Sequence, residues 1–316
     1  MLTLASLFEA RDVIHRFLPE TPEYNWPLLD EALGAEVWVK HENHAPTGSF
    51  KIRSALAYIY AQSLLQPPHT TYISATSGNF GLSIAYAAQK FNYGSVAVVP
   101  VGSPLSKKAY MQAMGCFVIE HGENYNEAEA HAVTLSEEQG FQLVPSFHHE
   151  LVCGAATYAL AFFKAQPKLD VVYVPVGLGT SICGVIAARD LLHLSTKVVG
   201  VVGQCSQYQS NGHSTHPLET HSFADGIAIS MPHKEAEAII GRGAERIIQV
   251  SDIEIADAIR LAYGATHNLL EGAGAAGLAG MIKERNMLQK SRIGTIFCGQ
   301  NIDRHNMALI LQGLTP

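Results

Sequence analysis

Residues 36–65 read EVWVKHENHAPTGSFKIRSALAYIYAQSLL, and the stretch changes its period partway along. Glu36-Val37-Trp38-Val39-Lys40 alternates as a half-buried strand does, whereas from about Ser49 to Leu65 the apolar residues recur at helical spacing. Pro46-Thr47-Gly48 marks the turn between them. The same succession returns at 72–74 before 78–91, 96–99 before 105–114, 117–119 before 126–139, 171–176 before 181–194, 247–250 before 253–263, and 293–297 before a C-terminal helix. The run 198–202 leads instead into a His-rich loop. Short β-branched runs alternating with helices predict an α/β chain built on parallel sheet.

The chain has 316 residues, enough for one large domain or two of moderate size, and two are expected. A net charge of -7 with no Lys/Arg cluster argues against a nucleic-acid partner. No run of about 18 apolar residues and no basic, apolar leader occur, so neither a membrane span nor a signal peptide is expected. The five cysteines are scattered without a C-x-x-C pair, which favours a reducing cytoplasm over a disulfide framework or zinc ribbon.

The opening stretch offers two chemistries. His41 and His44 flank Glu42, but a zinc-binding helix needs histidines at i and i+4 to bring both imidazoles to one face, and here the spacing is three; no metal is expected. Lys51 falls in the first turn of the expected helix, capped by Thr47, Gly48 or Ser49 and flanked by Phe50 and Ile52. The positive end of a helix dipole and apolar neighbours disfavour an ammonium ion and favour a free amine suited to a Schiff base. A solvated surface lysine is the alternative, and these residues alone leave both open.

Strand ends facing helix starts are where open α/β sheets bind ligands. Gly177-Leu178-Gly179-Thr180-Ser181 can hold a phosphate on successive backbone N–H groups, or can be a plain tight turn. The dinucleotide pattern fails there, because its third glycine should stand at Ile182 and Gly184 comes two residues late. Thr76-Ser77-Gly78-Asn79 offers hydroxyls, an amide and N–H groups to a carboxylate, or is an ordinary helix cap. Cys298, ending the last strand, is by itself a small core residue, and His213, His216 and His221 read as a solvated loop.

Taken together, these segments resemble the pyridoxal-phosphate enzymes of the tryptophan-synthase-β fold (fold type II), in the serine/threonine dehydratase and serine racemase branch. Thr47-Gly48-Ser49-Phe50-Lys51-Ile52-Arg53 is the strongest element of the likeness. The resemblance implies two open, mostly parallel twisted sheets with helices on both faces and pyridoxal 5'-phosphate in the interdomain cleft. It implies a large domain of residues 1–70 plus 148–316 and a small inserted domain of residues 71–147. Lys51 becomes the Schiff-base residue and Phe50 the one packing near the ring, while Asn79 approaches the pyridoxal 3-oxygen. Thr76, Ser77, Gly78, Asn79 and Phe80 take the substrate, Gly177 to Ser181 take the phosphate, Glu271 lies near the cofactor, and Cys298 faces the pyridine nitrogen.

The implied reaction is dehydration and deamination of a small β-hydroxy amino acid, such as L-threonine or L-serine, to a 2-oxo acid and ammonia, with Lys51 as general base. A racemase, with Ser77 as second base, or a lyase for another β-substituted amino acid are the alternatives; a dinucleotide-binding or non-catalytic protein using the same loops is a third. A homodimer is expected. The sequence departs from the family's pattern at Phe80 and Leu82, where His and Gln are common, and at Ser146-Phe147, so the substrate can be unusual. The family's glycine run is interrupted by Leu178 and Thr180, and Val202 stands where many members carry an acidic metal ligand. The chain's end soon after Cys298 suggests no regulatory domain.

Overall fold

The computed structural model describes residues 2–76, 78–206, 208, 222–228 and 233–316. Among these, ten strands follow in order: β1 (Glu23–Asn25), β2 (Glu36–Lys40), β3 (Thr71–Ala75), β4 (Gly94–Val99), β5 (Phe117–Glu120), β6 (Gln142–Leu143), β7 (Val171–Pro175), β8 (Lys197–Gly203), β9 (Arg246–Val250) and β10 (Arg292–Ile296). They form two mainly parallel sheets, ordered β1-β2-β10-β7-β8-β9 and β5-β4-β3-β6, with helices around them. The pairs between described strands are parallel except β1 with β2. No helix among the described residues is long and apolar enough to cross a membrane.

The chain separates into two compact units, Met1–Pro19 with Lys51–Gly154, and Glu20–Phe50 with Ala155–Pro316. This division differs from the expected one in where residues 1–19, 51–70 and 148–154 fall. The reason is helix packing: the helix Lys51–Ser63 lies against the helices Asn79–Lys90 and Leu4–Ile14, all in the unit of the four-stranded sheet. That sheet shows why alternation matters. Val96 and Val98 of β4 meet Ala128 and Ala132 of the helix Tyr125–Gln139, while Ala97 and Val99 meet Leu82, Ala85 and Met111 on the other face.

In the six-stranded unit, every residue of β7 is buried, as a central parallel strand covered on both faces requires. One cover is the helix Gly272–Lys283, sequence GAGAAGLAGMIK, which sequence patterning does not reveal because glycine is a poor helix former. Its glycines serve close approach. A Cβ at Gly277 would run into Thr295 Oγ1 and lie 3.0 Å from the Tyr173 carbonyl oxygen. The helix thus sits nearly backbone to backbone on β7 and β10.

Candidate active site

Three neighbouring strands of the larger sheet, β2, β10 and β7, end in the three segments singled out above. Strands pack about 4.8 Å apart, so these carboxyl ends lie within roughly 10 Å of one another. The segment after β10 is stitched to the one carrying Phe50: Phe50 donates its N–H to the Cys298 carbonyl (3.1 Å), Gln300 N–H to Gly48 (2.9 Å), and Asn301 Nδ2 to Thr47 (2.8 Å). The chain then enters the helix that begins at Lys51, one peptide bond beyond Phe50.

The expected cap of that helix is not formed. The buried Thr47 Oγ1 and Ser49 Oγ make no hydrogen bond among the described residues. Ser49 is instead held by its backbone in an isolated bridge to Gly299, and the helix begins only after Phe50. Buried hydroxyls without protein partners are groups suited to a ligand.

Cys298 is 5% exposed, and its thiol donates to the Ala273 carbonyl at 3.4 Å. Glu271, the residue before the glycine helix, donates its N–H to Gly299 O at 3.2 Å and is buried. A Cβ on Gly299 would overlap its carboxylate. Phe50, Cys298 and Glu271, far apart in sequence, are thus assembled around the end of β10.

Beyond β7, Gly179 adopts φ +105° and serves as N-cap of the helix Thr180–Leu191. A side chain there would meet Ala236 Cβ, so two constraints select glycine. The first N–H groups of a helix lack partners along it and suit an anion. Tyr158, absent from the sequence reading, lies in the helix His149–Ala165 with its hydroxyl 2.6 Å from Ser181 Oγ and its ring edge-on to Phe50. Only the near-unbroken apolar run around it signalled a helix.

In the other unit, the turn after β3 is closed by Thr76, whose Oγ1 accepts from the N–H groups of Gly78 (2.9 Å) and Gly81 (3.0 Å). The Gly78 N–H is thereby already engaged. Asn79 opens the following helix and is buried, Phe80 is half-buried, and Leu82 packs into the sheet core. Leu82 is therefore a packing residue. Lys107, which sequence reasoning passed over, is 7% exposed and lies so near the turn that a Cβ on Gly78 would be 3.0 Å from its Nζ. Ser77 and the histidines 213, 216 and 221 fall outside the described residues.

The histidines of the opening stretch form one network. The residues Glu42–His44 make a single 3-10 turn. His41 Nε2 accepts from Trp26 Nε1 (3.0 Å), so its proton sits on Nδ1, 3.3 Å from Asn43 Oδ1. Asn268 Nδ2 donates to the Thr266 carbonyl, leaving its Oδ1 to accept from Asn43 Nδ2 (3.0 Å) and His44 Nε2 (2.6 Å). The two imidazoles stack with centroids 4.7 Å apart. Among the described residues no group of three or more His, Cys, Asp or Glu is placed to hold a metal. Val202 is buried within β8, and just beyond that strand Gln249 Nε2 reaches the carbonyls of Gly203, Gln204 and Ser206.

Burial first, and the nearby His44 second, push His41 down from 6.5 to about 3, against the opposing bond from Asn43. The folded protein keeps this imidazole neutral, whereas the unfolded chain protonates it near 6.5. Below that pH the unfolded state binds the extra proton, so stability is lost as pH falls from about 6.5 toward 3. Roughly 2 kcal/mol should disappear between pH 7 and pH 5. Urea unfolding at the two values checks this, and His41→Gln should flatten the difference; an unchanged pH dependence in that variant would count against the assignment.

These features fit pyridoxal phosphate: an amine next to the Phe50 tether, a buried thiol at a strand end, and a glycine turn opening a helix for a phosphate. Comparison with known proteins agrees. An L-threonine ammonia-lyase of Thermotoga maritima is 31% identical over 310 residues, spanning 96% of this chain and 76% of that protein. The chain spans 50% to 59% of the length of several longer threonine dehydratases that it also matches. The crystal structure of a pyridoxal 5'-phosphate-dependent aspartate racemase superposes with a TM-score of 0.88 at 25% identity, covering 96% of this chain and 97% of the other. The processed form of threonine deaminase isoform 2 from Solanum lycopersicum gives 0.86 at 26% identity, covering 98% and 89%. The family model described as pyridoxal-phosphate dependent enzyme matches residues 14–299, a span that takes in Lys51, the glycine turn and Cys298, and the chain belongs to that family.

Proposed function

We propose that this chain is an ammonia-lyase that eliminates water from L-threonine or L-serine and, with one water taken back up as the resulting imine hydrolyses, releases ammonia and a 2-oxo acid. The observation that carries it is the Phe50 tether, which sets Lys51 one residue from a backbone bond to Cys298. When bound, pyridoxal phosphate supplies an aldehyde that condenses with amines and a ring that accepts the electron pair of a breaking Cα–H bond.

The chain's own groups then have separate tasks. Lys51 would provide the amine that holds the cofactor and would serve as the base for the Cα proton. The helix N-terminus at Thr180 and Ser181 binds the phosphate, and the turn Thr76–Asn79 binds the substrate carboxylate. Cys298, buried at the end of β10, would face the ring nitrogen, and a thiol there would not keep that nitrogen protonated as a carboxylate would. Weaker electron withdrawal favours loss of the β-hydroxyl over transamination. Glu271 and Phe50 would wall the ring.

The likeness to an aspartate racemase supports a second reading, racemisation of an amino acid, with Ser77 as the other base. Incubation with L-threonine and L-serine, with 2-oxo acid, ammonia and chirality all followed, separates the two. Oxo acid and ammonia in equal amounts are expected from either substrate; D-amino acid without oxo acid would overturn the lyase reading. The proposal includes a homodimer, which sedimentation tests, and a reducing cytoplasmic compartment, supported by five buried cysteines of which none is in a disulfide.

A further inference from the structure

We propose that Tyr158 is a positioning residue for the cofactor phosphate, orienting the Ser181 hydroxyl so that its proton is free to be given to a phosphate oxygen. The inference rests on the reading that the turn 177–181 binds phosphate. Tyr158 is fully buried, and a buried phenol needs a hydrogen-bond partner. Its hydroxyl lies 2.6 Å from Ser181 Oγ and a long 3.5 Å from the Ser181 carbonyl oxygen. Of the two hydroxyls the phenol is the stronger acid, with an ordinary pKa of about 10, and so it is the better donor.

With Tyr158 donating, Ser181 Oγ accepts and its own proton must point elsewhere. Ser181 is the second residue of the helix Thr180–Leu191, where the first N–H groups point out of the helix end. The segment Gly177-Leu178-Gly179-Thr180-Ser181 carries no cationic side chain, so each neutral donor counts toward a dianion. A hydroxyl that already accepts one hydrogen bond becomes a stronger donor in the next.

The pair is held rigidly from both sides. A Cβ at Gly184 would fall 2.8 Å from the Ala156 backbone nitrogen, so the two helices cross at backbone contact two residues from Tyr158 and three from Ser181. On the other side the phenol ring meets Phe50 edge-on, with centroids 5.9 Å apart, and Phe50 is itself fixed to Cys298. Tyr158 therefore joins the phosphate turn to the segment that carries the lysine's neighbour.

The test measures pyridoxal phosphate release from the holoenzyme under dialysis, together with the phosphorus-31 resonance of the bound cofactor. Ser181→Ala should speed release by about tenfold, the value of one hydrogen bond to a charged group, and Tyr158→Phe by a smaller factor, because it leaves the Ser181 hydroxyl in place but unoriented. The double variant should be no worse than Ser181→Ala alone, because Tyr158 acts only through the Ser181 hydroxyl. Both single variants should shift the phosphorus resonance in the same direction, which a purely structural role for Tyr158 would not do. Wild-type release and resonance in Tyr158→Phe, or additive effects in the double variant, would overturn the proposal. Wild-type protein that holds no pyridoxal phosphate would instead show that the turn's reading as a phosphate site is wrong, and the proposal with it. Should Tyr158→Phe not fold, Ser181→Ala with unchanged release and resonance is sufficient to reject it.

Discussion

Lys51→Ala is expected to lose the visible absorbance of bound cofactor, its bleaching by borohydride, and at least about a thousandfold of turnover. The lysine opens a helix, is half-buried, and follows a residue whose N–H is fixed to Cys298, so its amine is presented from a defined backbone position. Alanine is the better helix former, so the unfolding midpoint should not fall with the activity. Lys51→Arg separates amine chemistry from charge. A guanidinium keeps the positive charge but stays protonated and forms no Schiff base, so this variant should be as inactive as the alanine one. A coloured, active Lys51→Ala enzyme would remove the basis for the proposed reaction.

Gly274→Val should be the most damaging change outside the lysine. Gly274 is the third residue of the glycine helix, and a Cβ there would overlap the carbonyl oxygen of Gly299, with Gly299 C at 3.1 Å and N at 3.2 Å. The obstacle is backbone, which cannot change rotamer to make room. Either the helix lifts off β7 and β10 or the Cys298–Asn301 segment moves, and that segment bears the bonds to Gly48, Phe50 and Glu271. A loss of about 3 kcal/mol is expected, together with weakened cofactor binding. Gly277→Ala is the informative companion: its main obstacle is the Thr295 hydroxyl, so it should lower stability while leaving the cofactor in place. Denaturant titration followed at once by visible absorbance and circular dichroism distinguishes these outcomes, and a wild-type midpoint in Gly274→Val would refute the packing argument.

Much of the fold was legible without coordinates because its signals are local. Val171 to Val176 reads as a fully buried strand and Val96 to Val99 as a strand with two apolar faces, and β7 and β4 occupy those places. The lysine's address was likewise carried by adjacent residues, with Pro46, Thr47 and Gly48 breaking strand from helix. Less legible were the elements whose identity depends on what they touch. The helix Gly272–Lys283 mixes four helix-weakening glycines with four alanines, and the reason for the glycines is seen only where its bare face fits against two strands.

His44 gives the sharpest contrast. From sequence it was a histidine at the wrong spacing for zinc; in the folded chain its Nε2 bonds to Asn268, 224 residues away, and its ring stacks on His41. Tyr158 and Ser181 are 23 residues apart, on separate helices, and meet only because Gly184 lets those helices cross at backbone distance. The sequence by itself determined the strands, turns and helix that carry Lys51, since backbone geometry and side-chain period are properties of neighbours along the chain. Which hydroxyl faces which, and that the His41 imidazole stays neutral, was decided only by tertiary packing, because burial and donor geometry arise when distant segments close on one another.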